Sequence, residues 1–337
     1  MAKESSNKKT EILQFIQMHP AVSSKEIHDG INIEVSYATL KRILKIMIAE
    51  NLIVAKGKGK ATKYEIDPGY AVVKPVDTTE YFKKEVDERE IQKKYNPVLI
   101  RKIILHVSLF TQKEMARLNS LLDQYTKNVS ALSKSEFNNE LERLAIDLSW
   151  KSSQIEGNTY SLLETERLLK DKETAEGKTR DEATMLINHK EALDFIIQNK
   201  DYIHPLSVSN IEDIHSLLTK EMNINTNVRT HRVGISGTNY TPLDNEFQIN
   251  EALQDMCDVI NNRPNPFEKV LLSLVLISYI QPFADGNKRT ARIISNAILI
   301  NNHYCPISFR TVDSVEYKKA MLIFMNKIIS MHSKISL

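Results

Sequence analysis

A chain of 337 residues, 42% hydrophobic and 26% charged, is not a disordered one: it can bury a sizeable core in two or three units at about 100–200 residues per domain. With only 9 Gly and 10 Pro and abundant Leu, Ile, Lys and Glu, its composition favours helix over an all-β architecture. The net charge is +2, but residues 1–66 hold 11 Lys/Arg against 7 Asp/Glu, leaving 34 against 36 elsewhere, so any nucleic-acid contact belongs to the N-terminal part.

In chain order, residues 8–18 place Ile12, Phe15 and Ile16 on one helical face and are stopped by Pro20. Ser23 and Glu26 have capping-box spacing, which predicts a short second helix. From Ser36, Leu40, Ile43, Leu44, Met47 and Ile48 recur at three and four, while Tyr37, Thr39, Lys41, Arg42 and Lys45 lie largely off that stripe, predicting a third helix. Two β-like runs follow, Leu52–Ala55 and Thr62–Ile66, joined by a Gly/Lys turn that includes Lys58 and Lys60.

Three helices and a basic hairpin resemble a winged helix-turn-helix domain, expected over residues 1–68. That resemblance implies DNA docking, with the third helix in a major groove and the wing lysines on phosphate. The residues it implicates are Tyr37, Thr39, Lys41, Arg42, Lys45, Lys58 and Lys60. A winged helix built for protein interaction is the alternative reading.

Residues 67–78 carry two prolines and read as a linker, and the charged YFKKEVDEREIQKK that follows reads as a solvated helix face, so residues 69–95 are expected to be a linker helix region. From about residue 97 helical periodicity dominates, broken at Gly157-Asn158, at 199–205 and at 225–244. Cys257 and Cys305 lack CxxC or Cys/His spacing, which speaks against a disulfide framework, a zinc site or a redox motif and fits a reducing cytoplasm. The N-terminus has no apolar h-region. The longest apolar stretch, 270–280, is interrupted by Ser273 and Ser278 and falls short of the roughly 20 residues a bilayer span needs, so no membrane association is expected.

The most informative stretch runs from Tyr279 to Arg292, YIQPFADGNKRTAR. A helix ending near Ile280, a tight Pro/Asp/Gly/Asn turn and a helix starting near Lys288 would aim backbone N–H groups at one point, an anion-binding arrangement. Arg289 and Arg292, three apart, share a helical face beside it, and Asp285 is placed to hold a divalent cation. On spacing alone, a capped helical turn with surface ion pairs stands equal to phosphate binding.

This stretch resembles the signature of the Fic family, His-x-Phe-x-(Asp/Glu)-Gly-Asn-(Gly/Lys)-Arg-x-x-Arg, at Phe283, Asp285, Gly286, Asn287, Lys288, Arg289 and Arg292. Ser152 to Asn158, SSQIEGN, is similar to the family's inhibitory Ser/Thr-x-x-x-Glu-Gly/Asn motif. Arg232 to Pro242 is similar to its target-clamping flap hairpin. The resemblance covers roughly residues 95–325 and implies a mainly α fold: an all-helical core with a small β-hairpin flap, plus the N-terminal winged helix-turn-helix domain. The Fic domain is expected over 96–337, with an inhibitory helix around 139–157.

The implied activity is transfer of AMP from ATP to Tyr, Ser or Thr hydroxyls of a protein target, with Mg²⁺ on Asp285. Gly286, Asn287, Lys288 and Arg289 would cradle the α- and β-phosphates, and Arg292 would hold the γ-phosphate. Asn287 and Arg289 join position 281 as the implied catalytic set. Ser152, Glu156 and Gly157 are the implied inhibitory residues, Glu156 competing for Arg292; Ile235, Ser236, Gly237 and Thr238 would clamp the target. The family also implies a homodimer paired through its core.

At position 281, however, the family's general-base His is replaced by Gln. A glutamine amide has no useful basicity near neutral pH, and general-base catalysis typically contributes about 10²–10⁴ in rate. Three readings stay open: an inactivating substitution, a pseudoenzyme that still binds nucleotide, or an active variant using another group or water. A nucleotide-sensing DNA-binding regulator is therefore the alternative function, and removal of AMP from a target a weaker third. His231, beside Arg232 on the expected flap, is a candidate replacement base, with an ordinary solvated loop histidine as the other reading; His189 and His204 have no metal-ligand company, and Trp150, Tyr279 and Phe283 read as core.

Overall fold

The computed structural model describes residues 2–67, 69–74 and 76–326. Pro68 and Pro75 of the expected linker, and residues 327–337 of the expected Fic span, lie outside the described residues. Two compact units are present, one comprising 2–77 and 101–118, the other 78–100 and 119–326.

The first unit contains α1 (Ala2–Met18), α2 (Ser24–Gly30), α3 (Tyr37–Ala49), β1 (Ile53–Lys56) and β2 (Lys63–Ile66). The Ser23 hydroxyl accepts from the Glu26 N–H and the Glu26 carboxylate from the Ser23 N–H, so the capping box forms. Ser36 caps α3 by accepting from the Thr39 N–H. β1 and β2 pair antiparallel with Ile53 opposite Ile66, and Val22 bridges to Tyr64 on the other edge. Ile12, Ile16, Ile27, Leu40, Leu44, Met47, Ile53 and Tyr64 form one buried cluster. Leu40, Ile43, Leu44 and Met47 of the α3 stripe are thus spent inward, while Ile48, expected on the same stripe, is exposed beside the polar side.

The charged stretch after the linker is not one solvated helix. The linker itself holds α4 (Tyr70–Val73), and the charged stretch forms the end of α5 (Thr78–Lys83), a single 3₁₀ turn at Val86–Glu88 and then irregular chain. The reason is that its side chains have partners: Arg89 stacks over Phe82 and Tyr81 and donates to the Gly237 carbonyl, and Asp87 accepts from Asn239. Residues 78–100 accordingly belong to the second unit.

After α6 (Gln112–Ser130), the remaining helices are α7 (Lys134–Ile155), α8 (Leu162–Asp171), α9 (Arg180–Gln198), α10 (Val208–Thr219), α11 (Glu246–Asn262), α12 (Pro266–Ile280), α13 (Asn287–Asn301) and α14 (Ser314–Asn326). The centre of the second unit is the α12–α13 hairpin. α13 packs on α7, α9, α10 and α12, and α12 on α11, α13 and α14. Leu276, Ile277, Ile280, Ile293 and Ile294 are fully buried. In α12 the Ser273 and Ser278 hydroxyls donate to the carbonyls of Val270 and Leu274, so neither leaves an orphaned polar group in the core. No helix among the described residues is long and apolar enough to cross a membrane.

The expected flap hairpin does not form a strand ladder. Residues 231–240 are irregular with a turn at 237, and the one pairing is an isolated parallel bridge between Lys94 and Thr241. Its polar groups are satisfied elsewhere, as described below. The β-structure of the fold among the described residues is instead the two-stranded wing.

Candidate functional site

α12 ends because Gln281 adopts a left-handed conformation (φ 52°, ψ 60°) and Pro282 follows, which cannot donate to continue the helix. The chain then turns through 282–286 and re-enters a helix at Asn287. Gly286 sits at φ +81°, and a Cβ there would lie 3.2 Å from the His215 ring, so this position needs glycine on both counts. No side chain caps the first turn of α13, which leaves its amides for a ligand.

Asn287 closes the turn. Its side-chain oxygen accepts from the Phe283 N–H at 2.9 Å, and its amide donates to the Phe283 carbonyl at 2.8 Å and to Gln281 Oε1 at 3.1 Å. Gln281 Nε2 donates to the Ser278 carbonyl at 2.7 Å. The Gln281 side chain is therefore held between the two helix ends and is 8% exposed. Phe283 is fully buried and stacks on the His215 ring, centroids 3.7 Å apart. His215 Nδ1 and Nε2 face the carbonyls of Thr226 and Asp285 at 3.1 and 3.0 Å. Burial pushes its pKa below the usual histidine value, and a neutral ring donates to only one of the two.

A cavity of about 370 Å³ opens over this turn, lined by Gln281, Asp285, Gly286, Asn287, Lys288 and Arg289, by Glu156, by Val233–Ser236, and by Tyr317, Lys318, Met321, Leu322 and Met325 of α14. Its floor is polar and cationic, its α14 wall mostly apolar. Arg289 is 2% exposed, and its Nη2 reaches Asp285 Oδ2 at 3.3 Å. Burial lowers the Arg289 pKa against the opposing effect of Asp285. The other Asp285 oxygen accepts from the Gly286 N–H at 2.6 Å, while its side chain stays 67% exposed. Among the described residues there is no group of three His, Cys, Asp or Glu that would hold a metal unaided. A single exposed carboxylate suits a cation that takes its other oxygens from phosphate and water.

Arg292 lies behind the cavity, fully buried. Its Nε donates to Ser152 Oγ at 2.8 Å, and its Nη2 to the Ser152 carbonyl at 3.1 Å and to Glu156 Oε1 at 2.7 Å. Nη1 has no hydrogen-bond partner. Glu156 is the C-cap residue of α7, and its second oxygen is 3.7 Å from Lys288 Nζ. Burial pushes the Glu156 carboxyl up, but the Arg292 and Lys288 charges outweigh it and hold the group below its ordinary value. Ser152 and Glu156, four apart, thus reach one guanidinium from one helix face, and Gly157 turns the chain away at φ +103°.

Of the four flap residues singled out from sequence, Ile235 and Ser236 line the cavity. Gly237 and Thr238 do not: the Gly237 carbonyl accepts from Arg89, and the Thr238 hydroxyl donates to Asn326. Sequence reasoning missed Arg229, His215 and the α14 wall. Arg229 is 2% exposed and donates from Nε to the Gln281 carbonyl at 2.7 Å, from Nη1 to that of His231 at 2.6 Å, and from Nη2 to that of Leu243. It ties both ends of the flap to the signature turn. No spacing announces such residues, because each acts across a long sequence separation.

In the first unit, the DNA-contact candidates divide. Arg42, Lys45, Lys58 and Lys60 are exposed. Lys41 lies over the Tyr37 and Tyr64 rings, the Thr39 hydroxyl pairs with that of Ser36, and the Tyr37 hydroxyl with that of Ser24 at 2.7 Å. These three are partly committed to holding the domain together.

Comparison with known proteins supports both halves. The Fic/DOC family model matches residues 205–299, and the Penicillinase repressor model matches residues 5–124. A protein adenylyltransferase Fic of Nematostella vectensis is 30% identical over 184 residues, 50% of this chain and 40% of the relative. Protein adenylyltransferase fic-1 of Caenorhabditis briggsae is 29% identical over 172 residues, 48% of this chain and 33% of the relative. The match thus spans between a third and two fifths of these relatives' lengths. Among solved structures, a Fic domain containing signaling protein from Bacteroides thetaiotaomicron superposes with a TM-score of 0.52 at 22% identity, over 60% of this chain and 79% of that one. Fic-1 from C. elegans gives 0.50 at 21% identity, over 63% and 64%. The fold and the family matches agree with the signature turn: the chain is mainly helical, carries a Fic/DOC domain match at residues 205–299, and is winged-helix-like in its N-terminal part.

Proposed function

We propose that the second unit is an ATP-binding protein adenylyltransferase core, restrained by Glu156 and weakened or silenced in AMP transfer by Gln281. The observation that carries this reading is the Arg292–Ser152–Glu156 contact directly behind an uncapped helix start. A buried guanidinium with Nη1 left unpaired is a phosphate partner held by a carboxylate substitute. Gly286, Asn287, Lys288 and Arg289 would take the α- and β-phosphates through first-turn amides and side-chain cations, and Arg292 the γ-phosphate once Glu156 withdraws.

Asp285 would hold Mg²⁺, which supplies charge neutralisation at the phosphates when bound. Asn287 keeps the turn in shape, and Arg289 places a cation where negative charge gathers. Gln281 orients by hydrogen bonding but takes up no proton. The family's base is therefore missing from an otherwise assembled site. The target is a protein hydroxyl admitted beside Ile235 and Ser236. A homodimer and a reducing, cytoplasmic setting belong to the same proposal; both cysteines are free, Cys257 buried with its thiol pushed up to about 12.

A second reading, a nucleotide-sensing DNA-binding regulator, is favoured by the match to the Penicillinase repressor family together with Gln281. In it the core binds ATP without reacting, and Arg42, Lys45, Lys58 and Lys60 meet phosphate.

The deciding experiment incubates Glu156→Gly protein, with and without Gln281→His, with α-labelled ATP and Mg²⁺. Label only in the double variant is the expected outcome and means a transfer site disabled at one position. ATP binding by calorimetry without label in either variant supports the sensing reading. No ATP binding in either variant overturns both.

A further inference from the structure

The flap has no ladder of its own, yet its outer half is fully engaged. The Gly237 carbonyl accepts from Arg89 Nη1 at 3.1 Å, Asn239 Nδ2 donates to Asp87 Oδ1 at 2.7 Å, and the Thr241 N–H donates to the Lys93 carbonyl at 2.8 Å, where Lys94 and Thr241 form a parallel bridge. All three partners belong to residues 78–94, the segment that follows the winged-helix domain in the chain.

Asn326, 3% exposed at the end of α14, joins the two segments. Its side-chain oxygen accepts from the Thr238 hydroxyl, its amide donates to the Tyr81 hydroxyl at 2.9 Å, and its carbonyl accepts from the Gln92 N–H at 3.2 Å. Arg89 is itself fixed, 4.9 Å from the Phe82 ring centre and 5.6 Å from that of Tyr81.

We propose that residues 78–94 are a strap that sets the flap, and that Arg89, Asp87 and Asn326 are positioning residues that determine which part of the flap can receive a target. With the strap docked, the Gly237 carbonyl and the Thr241 N–H are occupied, and the Tyr240 N–H is taken internally by the Thr238 hydroxyl. Main-chain pairing with a target segment is then confined to 233–236, the stretch that lines the cavity. A target that pairs in extended form there presents its hydroxyl residue within a short register, because four residues of strand span only about 13 Å. Release of the strap would lengthen the available edge and loosen that register. The inference rests on reading 231–242 as the target-facing flap, but its hydrogen-exchange test does not depend on AMP transfer.

The test is hydrogen–deuterium exchange on the full chain. In the Asp87→Ala, Arg89→Ala double variant, amides of 237–241 are expected to exchange at least tenfold faster, with those of α12 and α13 unchanged, as for a local opening. Asp87→Asn keeps an oxygen acceptor for Asn239, so Asp87→Asn alone should exchange as wild type while Asp87→Ala alone does not. Unchanged exchange at 237–241 in the double variant would overturn the strap, as would acceleration spread evenly over α12 and α13. In the Glu156→Gly, Gln281→His background, adding the strap substitutions should change KM for the protein target with ATP affinity held within twofold. A change in ATP affinity alone would count against a role in target register.

Discussion

Position 156 shows how one carboxylate completes a buried charge and, in the proposed function, stands where a ligand phosphate would. Arg292 has no exposure, and removing Glu156 leaves its guanidinium with uncharged company, Ser152 and the Tyr317 ring 5.7 Å away. Breaking a buried pair from one side costs about 3–5 kcal/mol, unless another anion enters. ATP should therefore raise the melting temperature of the Glu156 variant more than that of the wild type. The pH dependence has a definite sign. Because the native Glu156 carboxyl titrates below the ordinary value of 4.5, its contribution to stability is present in full above that value and is lost as pH falls through the lower, native one. In thermal melts, the stability gap between wild type and Glu156→Gln is thus expected to be constant near neutrality and to close as pH falls below 4.5. A gap that widens in acid would contradict the charge pair. Gln281, by contrast, contributes no titration, and what it lacks in basicity it retains in geometry, through Ser278 and Asn287.

At the level of elements, α3 and the wing are the parts whose role a solution measurement can separate. Arg42 and Lys45 are exposed on α3, and Lys58 and Lys60 on the wing turn, with no fold contact to lose. If α3 docks in a groove, each of these replaced by Ala should reduce the salt slope of DNA binding by about one, since each neutralised phosphate contributes about 0.9 to it. Binding by titration at several salt concentrations reads this directly; an unchanged slope assigns the winged helix to protein contacts. Tyr37 and Thr39 are poorer probes because their hydroxyls pair with Ser24 and Ser36. The α12–α13 turn was legible in sequence because Pro282, Asp285, Gly286 and Asn287 punctuate it between two apolar helical runs. The stretch 81–94 was misread as a solvated helix face, because charge along a segment reports solvent preference only when nothing across the chain offers a partner, and here Gly237, Asn239 and Asn326 do.

On the scale of the whole molecule, the chain divides into two compact units with separate cores. Two cooperative transitions are therefore expected in calorimetry, since each core can melt by itself. Adding ATP and Mg²⁺ to the Glu156→Gly variant should shift only the transition of the second unit, by mass action on the native site. A single transition that moves as one with nucleotide would mean the two units unfold cooperatively. The split also bears on the two functional readings, which assign separate chemistry to separate units and can be tested one unit's residues at a time in the full chain.

The sequence alone determined the local features: helix starts at Ser23 and Ser36, the wing turn, the signature turn with its glycine, and the four-residue spacing of Ser152 and Glu156. These are set by capping, periodicity and backbone freedom, which act within a few residues. The contact between Glu156 and Arg292 was implied by resemblance to the Fic family, but its distance, burial and the added Lys288 are tertiary. Only the tertiary structure decided that His215 stacks on Phe283, that Arg229 ties the flap ends to Gln281, that α14 walls the cavity, and that the flap is held by residues 78–94 rather than by its own strands. Each depends on groups far apart in the chain being brought together, so that a carbonyl or a ring takes the partner that packing provides.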